Sequence, residues 1–503
     1  MQSGFDGAGF TIAVINDYPP STADVSAYLT QFGITHAATY SVENVDGGSP
    51  QTDASGLSES TLDVETLEAL APGANVIFYA TPDLSAQSLI DAYDQILSDG
   101  KADAVDMSYG GCEVSVGTAA DSLFAQGAAQ GIAFVAASGD YGDECFEVSG
   151  NQYGVNFPAS DPNVIGVGGT QTATISCQMG SIASQQAWND RCKSGGIQEA
   201  TGGGVSSMFA MPAYQSSIGV GGNHRNVPDV AMPAVFDGVY LQGSWQLMNG
   251  TSWGAPQVAA MFTEIDEYCR SELPNPVDVF YEAFGQKGFA DFTAITSGNN
   301  QYASDPTYFS ADGGFSDVGG IGIPNGMAIA QTVCPNRTPS SLVAMRSSSA
   351  LEVRAPAQAR TVGIVPDMRR LTDLGERSES EATRIAIVLR PTQSVAGDEQ
   401  TVVADLESAG FAIEHTYPNH LVIDAQAPSG DVERYFGTTL HDFAQGRFGT
   451  RYANVAPLVV PSGVAPYVES VVADDVVSSV PQTTSGSHHE CDGEPKGNRV
   501  APP

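Results

Sequence analysis

Residues 75–110 read NVIFYATPDLSAQSLIDAYDQILSDGKADAVDMSYG. An apolar run at 75–79, a helical pattern at 85–98 and a second apolar run at 104–110 give a strand, a helix and a strand in succession. Strands joined through a helical crossover run parallel. The rhythm continues outward: TIAVI at 11–15, a helix at about 59–71, a helix at 118–130 and IAFVAAS at 132–138. Residues 8–335 therefore predict an α/β fold, a doubly wound parallel sheet with helices on both faces and its sites at the carboxyl ends of the strands.

The chain has 503 residues, 42% of them apolar, which is enough for a large core in two or three domains. Fifty-eight acids against 20 bases give a net charge of −38. That balance argues against nucleic acid and anionic membranes as partners and suits work in acid, where protonation relieves the self-repulsion. The charge is uneven: residues 1–336 hold 37 acids and 6 bases, residues 337–503 hold 21 and 14. The second region could dock electrostatically on the first at neutral pH and loosen on acidification.

Residues 337–382, rich in Ser, Ala, Pro and Arg, read as a linker. Residues 383–480 read as a small α+β domain: strand RIAIVLR, helix DEQTVVADLESAGF, strands AIEHTY and HLVIDAQA, a helix over Ser429–Phe436 and a closing helix near 465–473. Residues 481–503 read as a polar, disordered tail.

Of seven cysteines, Cys112, Cys145, Cys177, Cys192, Cys269 and Cys334 precede the tail and Cys491 lies in it. No C-x-x-C pair points to zinc. Three disulfides, in sequence order or another, or buried free thiols both fit. No apolar run approaches the ~20 residues that span a bilayer, and no basic and apolar leader is visible at the N-terminus.

The segment Asn249-Gly250-Thr251-Ser252-Trp253-Gly254-Ala255-Pro256 precedes the apolar helix VAAMF. A serine between a glycine turn and a helix start sits over the positive helix end, where developing negative charge is favoured; a bare G-T-S is also an ordinary helix cap. The only histidines before residue 337 are His36 and His224, neither in a setting that makes a Ser-His-Asp triad. Glu59 and Asp63 are four apart on a predicted helix and share a face. Two adjacent carboxyls share a proton and can act as a base in acid, where imidazole is already protonated; a solvated acidic face, with Glu65 and Glu68 nearby, is the alternative. Asp140, in Ser138-Gly139-Asp140-Tyr141-Gly142 after the strand IAFVA, can point into the site and, protonated, donate to an oxyanion, or can cap a turn.

G-T-S-W-G-A-P at 250–256, the Glu59/Asp63 helix running into APGANV, and SGDYG at 138–142 together resemble the sedolisins, serine-carboxyl peptidases with a subtilisin-like fold. FPAS at 157–160 before IGVGGT, GGGVS at 202–206 and Arg225 through PDVAMPA resemble them too. The resemblance spans residues 5–330 and implies Ser252 as nucleophile, Glu59 as base, Asp63 as its proton-sharing partner and Asp140 as oxyanion stabiliser. Asp17, after the first strand, holds the place of an ordinary subtilisin's catalytic aspartate and has no such role under this resemblance. Calcium is also implied, on Asp291, the Phe292 carbonyl, carbonyls from Gly313 to Phe315, and Asp317. The family's glycine-rich turn ends in Trp-Asp where this chain has GGFSD, so one register puts Ser316 in the aspartate's place.

IAIVLRP at 385–391, SAGF at 408–411, PNHLVIDA at 418–425, VERYFGTTLHDF at 432–443 and RYANVAPLVVP at 451–461 resemble the family's activation propeptide, a ferredoxin-like domain. In the family it precedes the catalytic domain and inhibits it until acid releases it; here it follows. His415, His420 and His441 are candidates for sensing acid. The expectation is an extracellular, monomeric endopeptidase acting on proteins or peptides in acid, with an intramolecular inhibitory domain freed by a cut near residue 340. A catalytically silent, peptidase-fold binding protein is the competing reading, and a neutral-pH subtilisin would need a histidine that these motifs do not supply.

Overall fold

The computed structural model describes residues 4–35, 38–51, 54–143, 154–172, 185–190, 199–235, 237–302, 307–335, 359–363, 365–366, 368, 371–392, 394–477, 479–481 and 484–485. Strand β1 (Thr11–Asn16) pairs in parallel with β3 (Asn75–Ala80) on one side and β4 (Ala104–Met107) on the other. The sheet continues through β2 (Tyr40–Asn44), β5 (Ala133–Ala137), β6 (Ile165–Thr172) and β7 (Val230–Pro233) in the order 7-6-5-4-1-3-2, every pair on this path parallel.

Alternation along the strands sorts the side chains into two cores. Ile12, Val14, Val76, Phe78 and Val135 face one layer, formed by the helices Ala54–Leu70 and Gly254–Cys269, which contribute Val64, Leu67, Val258 and Phe262. Ala13, Ile15, Ile77, Tyr79 and Phe134 face the other, where Ala86–Asp99 and Asp121–Gln130 supply Leu89, Ile96, Leu123 and Phe124. Each fully buried large side chain adds roughly 1.5–3 kcal/mol of transfer free energy. A buried ion pair locks the edge beside β7. Arg225 donates through both terminal nitrogens to Asp229, at 2.7 and 2.6 Å, and Tyr281 donates to the same carboxylate at 2.6 Å.

The second unit is a four-stranded antiparallel sheet in the spatial order Ala412–Thr416, Val422–Pro428, Ala382–Leu389, Val468–Val472, covered by the helices Val395–Ser408 and Ser429–Phe436. The expected closing helix at 465–473 is thus a strand. Val468, Val471 and Val472 are β-branched and buried, and pairing with the central strand outweighs the short helical pattern. With it the unit completes the ferredoxin-like order βαββαβ. Part of the stretch read as linker is also ordered: Arg360–Val362 pairs with Leu458–Val460, and Thr372–Glu376 with Leu440–Ala444.

This sheet packs on the helix Ala86–Asp99, with Ala386, Val388, Leu421 and Val422 sharing the second core. Arg384 reaches Asp46 at 2.8 Å and the buried Asp91 at 3.0 Å, while holding Glu414 and Asp424 of its own unit; Arg451 meets Asp83 at 2.8 Å. The bases of the second region thus meet acids of the first. The histidines have local partners: His420 with Glu399, His441 with Asp373, and His415 edge-on to Tyr417. Cys269 and Cys334 form a disulfide, and Cys112 is also disulfide-bonded. Cys145, Cys177, Cys192 and Cys491 lie outside the described residues.

Candidate active site

The nucleophile candidate is built by a sharp change of backbone. The strand Ser244–Asn249 enters Gly250, whose φ of 150° is open to glycine, and a single turn at Thr251–Trp253 leads into the helix Gly254–Cys269. Ser252 is thereby fixed beside a helix N-terminus, fully buried.

Asp140 follows β5 and comes back to the same turn. Its Oδ1 accepts from the Thr251 N–H at 2.8 Å and from the Thr251 hydroxyl at 2.9 Å. The loop carrying it is clasped by the glycines at 202–204. Gly202 donates to the Gly139 carbonyl, and a Cβ at 202 would meet the Ser138 carbonyl at 2.0 Å, so only glycine fits.

Glu59 and Asp63 lie one turn apart on Ala54–Leu70, the helix that packs on Gly254–Cys269 and the Ser252 turn, and both are fully buried. Burial, followed by the Asp63 charge, pushes Glu59 well above the usual carboxylate range; the Ser252 hydroxyl acts in the opposite sense, and Asp140 and Asp106 add to the rise. Burial also raises Asp63, against the Ser108 hydroxyl. The Ser252 hydroxyl is thus near enough to favour the Glu59 anion, although neither Glu59 oxygen has a hydrogen bond of full geometry among the described residues. The solvated acidic face is excluded for this pair.

Two neighbours escaped the sequence reading. The apolar run at 104–110 is broken at Ser108 into β4 and the strand Tyr109–Cys112, and the Ser108 hydroxyl donates to the Ser252 carbonyl at 3.1 Å. Asp106, inside β4, faces the same layer as the Glu59/Asp63 helix and is fully buried. An aspartate within an otherwise apolar parallel strand was the available signal. Asp17 lies elsewhere, against the first turns of that helix: a Cβ on Gly56 would meet its Oδ1 at 2.0 Å.

The strands Tyr109–Cys112 and Ser244–Asn249 flank the Ser252 turn in the chain's hydrogen bonding and sequence, and residues beyond the second unit pair with both. Val480–Pro481 runs antiparallel to Tyr109–Gly110, and Thr484–Ser485 antiparallel to Met248–Asn249. The tail expected to be disordered therefore contributes two short strands. Such pairing is non-local and leaves no mark in composition.

The calcium positions are less well assembled. Asp291 accepts from Thr332 at 2.7 Å, Phe292 pairs with Pro324, and the Gly313 N–H donates to the Ile295 carbonyl at 3.0 Å. Burial pushes Asp317 up to about 7, and its Oδ1 is a buried oxygen with no hydrogen-bond partner among the described residues. Ser316, the residue before it, is buried, its hydroxyl oxygen without a hydrogen-bond partner among the described residues. Among the described residues no group of three or more His, Cys, Asp or Glu side chains could hold a metal. Calcium takes six to eight oxygens, backbone carbonyls and waters among them, and Asp291, Asp317 and the carbonyls of Phe292 and residues 313–315 are oxygen donors of that kind.

Comparison with known proteins bears on the whole arrangement. The Subtilase family matches residues 38–278, and the family described as Pro-kumamolisin, activation domain, matches residues 388–475. Kumamolisin of Bacillus sp. (strain MN-32) is 33% identical over 358 residues, covering 67% of this chain and 62% of that protein. The chain belongs to the sedolisin family. Sedolisin of Pseudomonas sp. (strain 101) is 31% identical over 58% of the chain and 52% of its own length. A solved Pseudomonas sedolisin, a serine-carboxyl proteinase complexed with pseudo-iodotyrostatin, superposes with a TM-score of 0.59 at 28% identity, covering 66% of this chain and 94% of that one. This sedolisin-family chain spans about three fifths and half the lengths of the two curated relatives. Its activation domain stands after the subtilisin-like domain.

Proposed function

We propose that the chain is a serine-carboxyl endopeptidase that hydrolyses peptide bonds in acid. One observation carries the reading: the Ser252 hydroxyl lies beside a fully buried carboxyl pair, Glu59 and Asp63, whose proton affinity burial has raised. Glu59 takes the Ser252 proton as Oγ attacks the substrate carbonyl, and Asp63 shares that proton along the helix face. The leaving amine receives it as the C–N bond breaks. Water then attacks the acyl ester with the same carboxylate as base. Asp140, held by Thr251, stands on the oxyanion side, where in its protonated form it donates to the developing charge.

Endopeptidase action is favoured by a cleft that offers a strand edge on each side of Ser252, so that a chain can continue in both directions. No step is routed through calcium. The disulfide suits an oxidising, extracellular setting, and no described helix is long and apolar enough to cross a membrane. Casein hydrolysis by the wild type, Ser252→Ala and Glu59→Ala between about pH 3 and pH 8 tests the proposal. Activity confined to acid and lost in both variants is expected. A wild type inert throughout that range would leave the binding-protein reading in front.

A further inference from the structure

We propose that Leu247 and Trp245, on the strand leading to Ser252, form a distal subsite for large apolar or aromatic side chains on the C-terminal side of the bond being cut. The inference rests on the peptidase reading above and names the substrate class that the same site prefers.

The strand Ser244–Asn249 has two edges. One is filled by Asp237–Leu241, from Asp237 opposite Met248 to Leu241 opposite Ser244. On the other, Thr484 and Ser485 pair antiparallel with Asn249 and Met248, and among the described residues no strand continues past them. This pairing shows which way an added strand runs. Its C-terminal direction points away from the Ser252 turn, so the part of a substrate that follows this edge is the part after the cut. That part meets Asn249, then Met248, Leu247, Gln246 and Trp245. Strand addition binds through the backbone with little regard to side chains, so a substrate can take the place of the two-residue pairing. The residue opposite Trp245 comes four beyond the one opposite Asn249, about 13 Å further along.

The pleat decides which substrate side chains count. Met248 turns inward onto Leu62, Val239 and Leu241, so Leu247 and Trp245 share the outer face. Directly opposed residues in antiparallel strands project to the same face, so the substrate residues facing Leu247 and Trp245 present their side chains there and the one between them does not.

That outer face is aromatic. Trp245 stands edge-on to Tyr240, its cross-strand partner, at 5.3 Å between ring centroids and to Phe32 at 5.7 Å, and Tyr28 packs against Trp245 and Phe32. The hairpin has other anchors: Asp24 accepts from the Gln242 and Gly243 N–H groups at 2.8 and 3.1 Å, and Glu65 from the Tyr240 N–H at 3.0 Å. Phe32 is nevertheless 50% exposed, and Trp245 and Leu247 are only partly buried. Apolar surface left in water beside a strand edge gains free energy when a ligand covers it. An aromatic substrate residue opposite Trp245 would complete a row of three across the sheet, with Tyr240 on the far side.

The test is hydrolysis by the full chain, at about pH 4, of peptides with one fixed cleavage site followed by about nine residues. These are all Ser or Gly except a single Phe, moved one position at a time. The readout is kcat/KM for each Phe peptide relative to its Phe-free parent in the same variant, so that a general loss of activity cancels. In the wild type, gains of roughly fivefold are expected at two positions two residues apart, with none at the position between them. Trp245→Thr is expected to remove the gain farther from the cut, Leu247→Thr the nearer one, and Trp245→Tyr to keep most of the farther one. A wild type indifferent to the position of Phe, or gains that survive both threonine substitutions, would overturn the subsite and leave the peptidase reading standing. A chain that cuts none of the peptides loses both proposals.

Discussion

Asp106 stands against Asp63 across the interface between β4 and the helix Ala54–Leu70, both side chains fully buried and neither carboxyl with a hydrogen-bond partner among the described residues. Burial first, and then the charge of Asp63, lifts Asp106 well above the usual range, against the Ser108 hydroxyl and the Met107 backbone. Asp106 in turn helps to raise Glu59. In the proposed mechanism the proton taken from Ser252 is therefore shared among three carboxyls.

Replacing Asp106 by Asn removes a negative charge from this set without changing its shape. The apparent pKa of Glu59 falls, and the acid limb of the kcat/KM profile moves to lower pH. An unmoved profile would restrict the proton sharing to Glu59 and Asp63.

Asp140 is held by two hydrogen bonds from Thr251, the residue before the nucleophile. Under the proposed mechanism, Asp140→Ala removes an oxyanion donor and slackens the Ser252 turn together. A loss of about 10²–10³ in kcat is expected, with KM for a peptide changing much less. A loss confined to KM would place Asp140 in substrate binding instead.

Stability responds to pH in the sense set by the buried acids. Burial pushes Glu65 up to about 9, Asp94 to about 8, and Glu68, Asp237, Asp317 and Asp474 to about 7. Ordinary values lie near 4, so between roughly pH 4 and pH 9 the folded chain binds more protons than the unfolded one. Stability from these groups is greatest below that window and declines as pH rises through it. Asp46 opposes the trend: despite its burial, Asp91 and Arg384 hold it low, and its contribution is lost in acid. Melting of Ser252→Ala, which avoids self-digestion, is expected at a higher temperature near pH 4.5 than at pH 8.

Arg384 compensates Asp91 and Asp424, two carboxylates buried at the domain boundary. Arg384→Ala leaves them facing one another uncompensated, and truncation of one partner in a buried charge set typically costs about 3–5 kcal/mol. Arg384 is a quarter exposed, which reduces that figure. The expected result at neutral pH is faster cleavage of the activation domain by an added protease. Unchanged resistance would show that the apolar contacts of Val388 and Leu421 suffice.

Much of this architecture was legible because it is local. The βαβ rhythm, the four-residue step from Glu59 to Asp63 and the glycine turn before Ser252 are patterns within one element or one turn. What escaped depends on pairing between distant segments. Val468–Val472 has a short helical pattern until the central strand of its own unit claims it. Ser108 reads as mid-strand until its bond to the Ser252 carbonyl shows why the strand breaks there. The tail strands form only because a cleft some 230 residues or more upstream in sequence offers them an edge. The calcium expectation came from resemblance alone, and the two registers of GGFSD put either Asp317 or Ser316 in the second acid's place.

The central claim is that a carboxylate, rather than an imidazole, activates Ser252. It is tested most directly by kcat/KM on a peptide substrate near pH 4 for Glu59→Gln beside the double variant His36→Ala/His224→Ala. The account predicts that Glu59→Gln loses at least about 10² in kcat/KM while the double histidine variant stays close to wild type. Full activity in Glu59→Gln, with loss in the histidine variant, would contradict it.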